Sequence, residues 1–160
     1  MAKEHERKFL VSGKGYRKLA KPETIIQGFL SLDPERLVRI RTKGSRSWMT
    51  VKGKRKGISR NEFEWEIPNA EAEVLLNELC IKPLIIKQRF VVRINNTIWE
   101  IDEFSGENEG LVIAETETAE NGNITDYPDW IGKEVTSEER YYNQNLVLHP
   151  YSLWGRSEKM

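Results

Sequence analysis

The sequence has one cysteine, two histidines, no long apolar stretch and no excess of either charge. A single cysteine, Cys80, excludes an internal disulfide framework and a cysteine-rich metal site, so we expect a reducing, cytoplasmic setting. No apolar run approaches the ~20 residues of a membrane-spanning helix. With 25 Lys+Arg against 25 Asp+Glu, no overall field attracts nucleic acid or an anionic membrane. Any function that depends on charge must therefore be local.

Alternation of apolar and charged side chains is the dominant pattern, and it predicts strands. It recurs at residues 37–41, 62–67, 87–92, 99–102 and 114–117, and a period of two places neighbouring side chains on opposite faces of a strand. Gly, Asn and Pro breakers separate these runs, which favours consecutive antiparallel pairing.

Helical spacing is confined to three segments, residues 15–20, 69–79 and 138–146, with Asn69 as the expected N-cap of the second. The length of 160 residues fits one ordinary domain. We expect a single domain over residues 1–150, followed by a C-terminal tail over residues 151–160.

The charged faces of several strands carry like charges two residues apart, as in the run from Glu62 to Glu66 and in the pair Arg39 and Arg41. In an ordinary half-buried sheet such faces meet water, but crowding like charges on a surface strand costs stability. A sheet of about eight strands closed into a barrel offers the alternative, in which the charged face lines a hydrated tunnel. The fold class we predict is mainly β (α+β): an antiparallel eight-stranded β-barrel tunnel with helices packed outside.

Cations opposite carboxylates inside a tunnel suit one kind of ligand in particular. Arg and Lys bind the oxygens of a phosphate chain directly, and carboxylates bind Mg²⁺ or Mn²⁺, which favour oxygen ligands. The charge pattern therefore predicts a site for a polyanionic phosphate chain bridged to carboxylates by divalent cations.

The pattern Glu-x-Glu-x-Lys at Glu4, Glu6 and Lys8 is followed by an ordered set of short blocks that spans nearly the whole chain. These are QGFL at 27–30, RIR at 39–41, TVK at 50–52, EFE at 62–64, KQR at 87–89, EID at 100–102, AETE at 114–117 and GKEVT at 132–136. The set resembles the CYTH superfamily, the triphosphate tunnel metalloenzymes. Two residues depart from that pattern: His5 stands where relatives usually have an aliphatic residue, and Phe29 where they often have Tyr.

The resemblance implies roles for particular residues. Mg²⁺ or Mn²⁺ would be bound by a carboxylate set comprising Glu4, Glu6, Glu115 and Glu117, with Asp102, Glu62 and Glu64 in support. The triphosphate would be bound by Lys8, Arg39, Arg41, Lys52, Lys87 and Arg89, with Lys133 and Arg140 as additional candidates. The catalytic set would be Glu6, Lys8, Lys52, Lys87 and Arg89.

The function we expect is metal-dependent hydrolysis of inorganic triphosphate or a related triphosphate. Two alternatives stay open: a class IV-type adenylate cyclase, which shares these motifs, and a non-catalytic polyphosphate-binding protein. Nucleoside or thiamine triphosphatase activity is a variant of the first. The expected partner is a small-molecule triphosphate; a homodimer stays open, and we expect no membrane and no nucleic acid, because the basic loop at residues 52–56 is short and lacks stacking aromatics.

Overall fold

The computed structural model of the protein describes residues 2–118 and 123–159, with side chains from His5 onward. These ranges contain nine strands. They are β1 Ala2–Val11, β2 Glu23–Ser31, β3 Arg36–Lys43, β4 Arg46–Gly53, β5 Ser59–Ile67, β6 Ile81–Ile94, β7 Thr97–Phe104, β8 Val112–Glu117 and β9 Ile131–Glu134. The α-helices are α1 Asn69–Val74, which continues as a π-helical turn over Leu75–Leu79, and α2 Asn143–Leu148. Short 3₁₀ segments lie at Gly15–Lys18, Gly106–Asn108, Glu139–Tyr141 and Tyr151–Leu153.

The strands form one antiparallel sheet that closes on itself. Its order is β5-β4-β3-β2-β6-β7-β8-β1, and β1 then pairs with β5 to complete an eight-stranded barrel. Closure is possible because β1 is long: Ala2 to His5 pair with β5, and Glu6 to Leu10 pair with β8. The short strand β9 adds to β1 at Phe9 and Val11. The predicted eight-stranded antiparallel barrel is confirmed.

The outer face of the barrel carries two apolar clusters, as the alternation predicts. One contains Phe9, Phe90, Trp99 and Ile101 and packs under Tyr16 and Trp130. The other lies beneath α1 and the π-helical turn and contains Ile40, Ala72, Leu76 and Cys80. Gly28 is required at the second contact, because a Cβ there would lie 2.8 Å from the Cβ of Cys80.

The predicted helix over residues 69–79 is present, although its start differs from the expectation. Pro68, not Asn69, occupies the N-cap position. The side chain of Asn69 instead donates to the carbonyl of Ser45 and accepts a 2.6 Å hydrogen bond from Ser47. Asn69 therefore ties the helix to the β3–β4 turn and does not cap it.

The C-terminal segment closes one end of the barrel. Residues 138–146, predicted as one helix, form the 3₁₀ segment Glu139–Tyr141 and then α2. Leu146 and Val147 of α2 pack against apolar side chains on the same strand faces as the charged residues, which are Phe29, Leu37, Ile85, Phe104 and Ile113. The expectation that the charged face lines the whole tunnel is wrong at this end, and α2 closes the barrel, whereas α1 packs outside it as predicted.

The segment predicted as a C-terminal tail is attached to the barrel. Trp154 is only 5 % exposed and packs edge-on against Tyr141, with ring centroids 5.3 Å apart. Further along, the carbonyl of Glu158 accepts a 2.8 Å hydrogen bond from Arg140. Residues of the predicted tail therefore pack against the rest of the chain, and the boundary at residue 150 stays a prediction. Within the described ranges no helix is both long and apolar enough to cross a membrane.

Candidate active site

A polar cavity of about 190 Å³ occupies the open part of the barrel interior. Most of the lining residues lie at alternate positions of the strands, so the alternation in the sequence predicts which side chains face the cavity. The lining residues are Glu6, Lys8, Gln27, Phe29, Leu37, Arg39, Arg41, Lys52, Arg55, Arg60, Glu62, Glu64, Lys87, Arg89, Glu100, Glu115, Glu117, Tyr142, Asn143 and Gln144.

Lys8 and Glu115 form a buried ion pair on neighbouring strands. They are register partners of β1 and β8, and the Lys8 Nζ lies 2.6 Å from the Glu115 Oε1. Burial alone would lower the pKa of the Lys8 ammonium, but Glu115 and Glu6 outweigh burial and raise it. Burial would likewise raise the pKa of Glu115, yet the nearby cations hold it well below its usual range. Both groups are therefore charged at neutral pH.

Asp102 is the anchor of two cavity cations. Its side chain is fully buried and accepts from Arg89 at 2.7 and 2.9 Å, while the Lys87 Nζ lies 2.8 Å from its Oδ2. Burial opposes its ionisation, but Arg89 and Lys87 lower the pKa of Asp102 to about 2. Asp102 was predicted as a supporting metal ligand; it is absent from the cavity lining, and its oxygens hold Lys87 and Arg89 in place.

Lys87 differs from Lys8, which is also buried. Burial, together with the positive charges of Arg89 and Arg41, lowers the pKa of Lys87 to about 8 in spite of Asp102. Its Nζ also donates a 3.0 Å hydrogen bond to the Oδ1 of Asn143, the first residue of α2. The pKa of this amine is therefore close to neutral pH.

The β3–β5 wall contributes two further pairs. The Arg39 Nη2 lies 3.4 Å from Glu64, and the Lys52 Nζ lies 3.4 Å from Glu62. The Nε of Arg39 is a buried donor that has no hydrogen-bond partner among the described residues. Such a donor is costly to leave unpaired, and an acceptor in the cavity, either water or a ligand oxygen, would remove that cost.

Arg41 is a cavity cation that has a hydrogen bond but no ion pair within the described ranges. Its Nε donates to the Oε1 of Gln27 at 3.2 Å. Burial and the neighbouring guanidinium groups of Arg39 and Arg89 lower its pKa to about 9. An anion in the cavity would relieve this repulsion.

The acidic side of the cavity brings carboxylates together across paired strands. Glu6 is the register partner of Glu117, and Glu100 is the partner of Glu115. Like charges directly opposite each other destabilise a sheet unless a cation lies between them. No group of three or more metal-binding side chains forms within the described residues, but Mg²⁺ is commonly held by one or two carboxylates together with substrate phosphates. The oxygen-only donor set fits a hard divalent cation of that kind.

Most of the predicted site residues line this cavity, and two candidates besides Asp102 do not. Lys133 is exposed and pairs with Glu138. Arg140 bonds to the carbonyl of Glu158 and stacks on the ring of Trp154. Neither side chain lines the cavity, so the structure does not bring these two candidates to the site. The side chain of Glu4, a predicted ligand, lies outside those described.

Several lining residues were missed by sequence reasoning. Arg60 and Glu100 could have been predicted from the sequence, because each lies two residues from a predicted site residue on the same strand face. Arg55 lies in the loop between β4 and β5, where alternation does not predict which way a side chain points. Asn143 accepts a 2.9 Å bond from Gln27, 116 residues away in sequence, and no local pattern predicts a contact at that separation.

Comparison with known proteins agrees with this geometry. The family described as "CYTH domain" matches residues 2–151. A protein named inorganic triphosphatase from Acetivibrio thermocellus is 49 % identical over 151 residues, which cover 94 % of this chain and 97 % of that protein. The crystal structure of the inorganic triphosphatase NE1496 superposes with a TM-score of 0.67 at 28 % identity, over 92 % of this chain and 96 % of that one.

A more distant structure shares the fold alone. It is a putative adenylate cyclase from Bacillus halodurans, with a TM-score of 0.60 at 17 % identity, over 74 % of this chain and 83 % of that one.

The CYTH triphosphatases are metal-dependent. The match over nearly the whole chain, the closed barrel and the charged cavity lead to one conclusion, which is that this chain belongs to the CYTH domain family.

Proposed function

We propose that this chain is an enzyme that hydrolyses inorganic triphosphate in the barrel cavity with the aid of Mg²⁺ or Mn²⁺. The observation that carries the proposal is the cavity itself, which combines cations and carboxylates in a volume of about 190 Å³. The similarity of the chain to proteins named inorganic triphosphatase supports the same reaction.

Phosphoryl transfer depends mainly on positioning and on charge stabilisation. Lys8, Arg39, Arg41, Lys52 and Arg89 would bind the oxygens of the triphosphate and orient it along the cavity. The unpartnered Nε of Arg39 favours this role, because a phosphate oxygen would satisfy it. Four of these cations are held by carboxylates and Arg41 is held by Gln27 before the substrate arrives, so little reorganisation is needed at the moment of reaction.

The metal would be held by Glu6 and Glu117, two negative groups that face each other across paired strands and whose repulsion it would relieve. Glu4, Glu62, Glu64 and Glu115 would be further ligands. A divalent cation bound here supplies neutralisation of phosphate charge and a lower pKa for the attacking water. Lys87, whose pKa burial lowers to about 8, is the cavity amine best suited to hold or donate a proton near neutral pH.

The cavity favours an inorganic chain over a nucleotide. An adenosine site needs a largely apolar slot with a few polar groups, whereas the apolar lining here is limited to Phe29, Leu37 and the ring of Tyr142. A cyclase would therefore have to bind its base outside the cavity. We also propose a small-molecule partner and a cytoplasmic location, the latter supported by the lone cysteine.

One assay tests the proposal. Purified protein is incubated with tripolyphosphate, ATP, thiamine triphosphate or pyrophosphate, with Mg²⁺ or Mn²⁺, and phosphate, pyrophosphate and cyclic AMP are measured. We expect phosphate release from tripolyphosphate that is abolished by EDTA and by Glu6→Gln, while Glu35→Gln at an exposed turn leaves the rate unchanged. Cyclic AMP with pyrophosphate would identify a cyclase, and binding without turnover of any substrate would leave only the polyphosphate-binding alternative.

A further inference from the structure

The cations that line the cavity differ in whether a carboxylate already holds them. Five form ion pairs, namely Lys8, Arg39, Lys52, Lys87 and Arg89, and Arg60 donates to two backbone carbonyls. Arg41 and Arg55 form no ion pair within the described part of the chain. Arg41 belongs to the strand wall, whereas Arg55 lies on the β4–β5 connection and is the only loop-borne cation in the described lining.

Arg55 rests on an aromatic ring at the closed end of the cavity. Its guanidinium carbon lies 4.7 Å from the ring centroid of Tyr142, which immediately precedes α2. The ring is fixed, because the Tyr142 hydroxyl donates a 2.7 Å hydrogen bond to the carbonyl of Thr136. The neighbouring loop residues Lys54 and Lys56 are exposed, whereas Arg55 is half-buried and lines the cavity.

Two cations lie close to the ring of Tyr142. The Nζ of Lys8 is 5.8 Å from the same centroid, and the charge of Arg55 is close enough to oppose protonation of Lys8. Two like charges at the end of a closed cavity repel each other, and a polyanion between them would turn that repulsion into attraction. A guanidinium also binds phosphate bidentately, which is a stronger interaction than a cation–π contact.

We propose that Arg55 is a substrate-binding residue that leaves the ring of Tyr142 to bind a phosphate group at the closed end of the cavity. The loop would then complete the cation set supplied by the strands and would make affinity for triphosphate depend on the β4–β5 connection. This inference rests on the proposed function for its substrate.

Binding and turnover of tripolyphosphate by Arg55→Ala test it against matched controls on the same loop. Lys54→Ala and Lys56→Ala each remove one positive charge without touching the cavity. Isothermal titration calorimetry in EDTA measures binding without turnover, and steady-state assays with Mg²⁺ measure KM and kcat. For Arg55→Ala we expect Kd and KM to rise about tenfold or more, as for loss of a charge-assisted hydrogen bond. We expect kcat to change by less than about threefold, and both control variants to stay within about twofold of wild type.

Two further variants keep the test decisive. Arg55→Lys should recover part of the lost affinity, because it keeps the charge but not the bidentate geometry. Tyr142→Leu should bind tripolyphosphate at least as tightly as wild type, because the ring no longer competes for the guanidinium of Arg55. A loss of affinity as large as that of Arg55→Ala would refute the proposal that Arg55 leaves the ring to bind phosphate.

The outcome also separates this inference from the proposed function. If Arg55→Ala binds like Lys54→Ala while wild type hydrolyses tripolyphosphate, the role of Arg55 is refuted and the enzymatic proposal stands. If wild type binds tripolyphosphate without hydrolysing it and Arg55→Ala weakens that binding, the enzymatic proposal fails and the role of Arg55 in binding stands. If wild type does not bind tripolyphosphate at all, both are refuted.

Discussion

Replacing Asp102 by Asn should destabilise the protein more than any other single change of a carboxylate to an amide in the cavity region. Asp102 is fully buried and is shared by Arg89 and Lys87 at distances of 2.7–2.9 Å. The amide keeps the shape but loses the charge, so Lys87 loses its counter-ion and Arg89 keeps only the partly exposed Glu100. Breaking a buried pair in this way costs roughly 3–5 kcal/mol; since Asn can still accept one hydrogen bond, we expect about 3 kcal/mol.

Urea denaturation in EDTA gives the required free energy of unfolding. For a chain of this size, about 3 kcal/mol corresponds to a fall in Tm of roughly 6–12 °C. Glu100→Gln is the matched control, because Glu100 also contacts Arg89, at 3.2 Å, but its side chain is 39 % exposed. Such a partly exposed pair should contribute less than about 1 kcal/mol.

A bound polyanion should offset the loss. Tripolyphosphate brings negative charge to the same cations, so it should raise the Tm of Asp102→Asn by more than it raises that of wild type. If the metal-free variant is instead as stable as wild type and loses only its stabilisation by Mg²⁺, the structural role argued for Asp102 is refuted, and its predicted role as a metal ligand is restored.

The same residue should make stability depend on acid pH. The pKa of Asp102 is about 2 in the folded protein against an ordinary value of 3.8. A carboxyl group whose pKa is depressed by folding contributes stability above its unfolded pKa and loses it as the pH falls through the folded pKa. Wild type should therefore lose about 2 kcal/mol of unfolding free energy between roughly pH 4 and pH 2, and urea titrations of Asp102→Asn should lack that component.

Three further changes probe other parts of the molecule. Because the pKa of Lys87 is about 8 in the free protein, its positive charge is lost as the pH rises through that value, and kcat/KM for tripolyphosphate should fall above pH 8; a flat profile from pH 7 to 9.5 would contradict this. Gly28→Ala should cost about 1–3 kcal/mol in urea denaturation, because the new Cβ would lie 2.8 Å from the Cβ of Cys80. Trp154→Ala should lower the free energy of unfolding by about 3–5 kcal/mol, whereas Leu153→Ala, at a side chain that is 64 % exposed, should lower it by under about 0.5 kcal/mol. Equal effects of the two changes would refute the packing of Trp154 against the closed end of the barrel.

The strand faces were predictable from sequence because alternation is a local property. Glu6 and Lys8, or Arg39 and Arg41, share a face whatever the rest of the chain does. Closure of the barrel also followed, since so many charges on one face require a hydrated interior. The outer clusters beneath α1 and around Trp99 were expected for the same reason.

Depth along the barrel axis was not predictable in this way. Ile85 lies on the same face as Lys87 and Arg89, yet it packs into the apolar end while Lys87 and Arg89 line the cavity. Period two gives the side of a strand but not the distance from either end. The role of Asp102 was missed for a related reason: its register partner on β6 is Arg89, and a cross-strand partner depends on register, which only the folded barrel defines.

Closure of one end bears directly on the chemistry of the cavity. The Nζ of Lys87 lies 5.5 Å from the ring centroid of Phe104, so apolar packing at the closed end extends up to the amine and contributes to its burial. Burial lowers the pKa of Lys87, the charges of Asp102 and Glu115 offset part of that effect, and Asn143 accepts a hydrogen bond from the amine. A triphosphate adds negative charge where water is scarce and where each electrostatic interaction is strongest. Binding should therefore raise the pKa of Lys87 and stabilise the fold by the same interactions, so variants that loosen the closed end should lose substrate affinity along with stability.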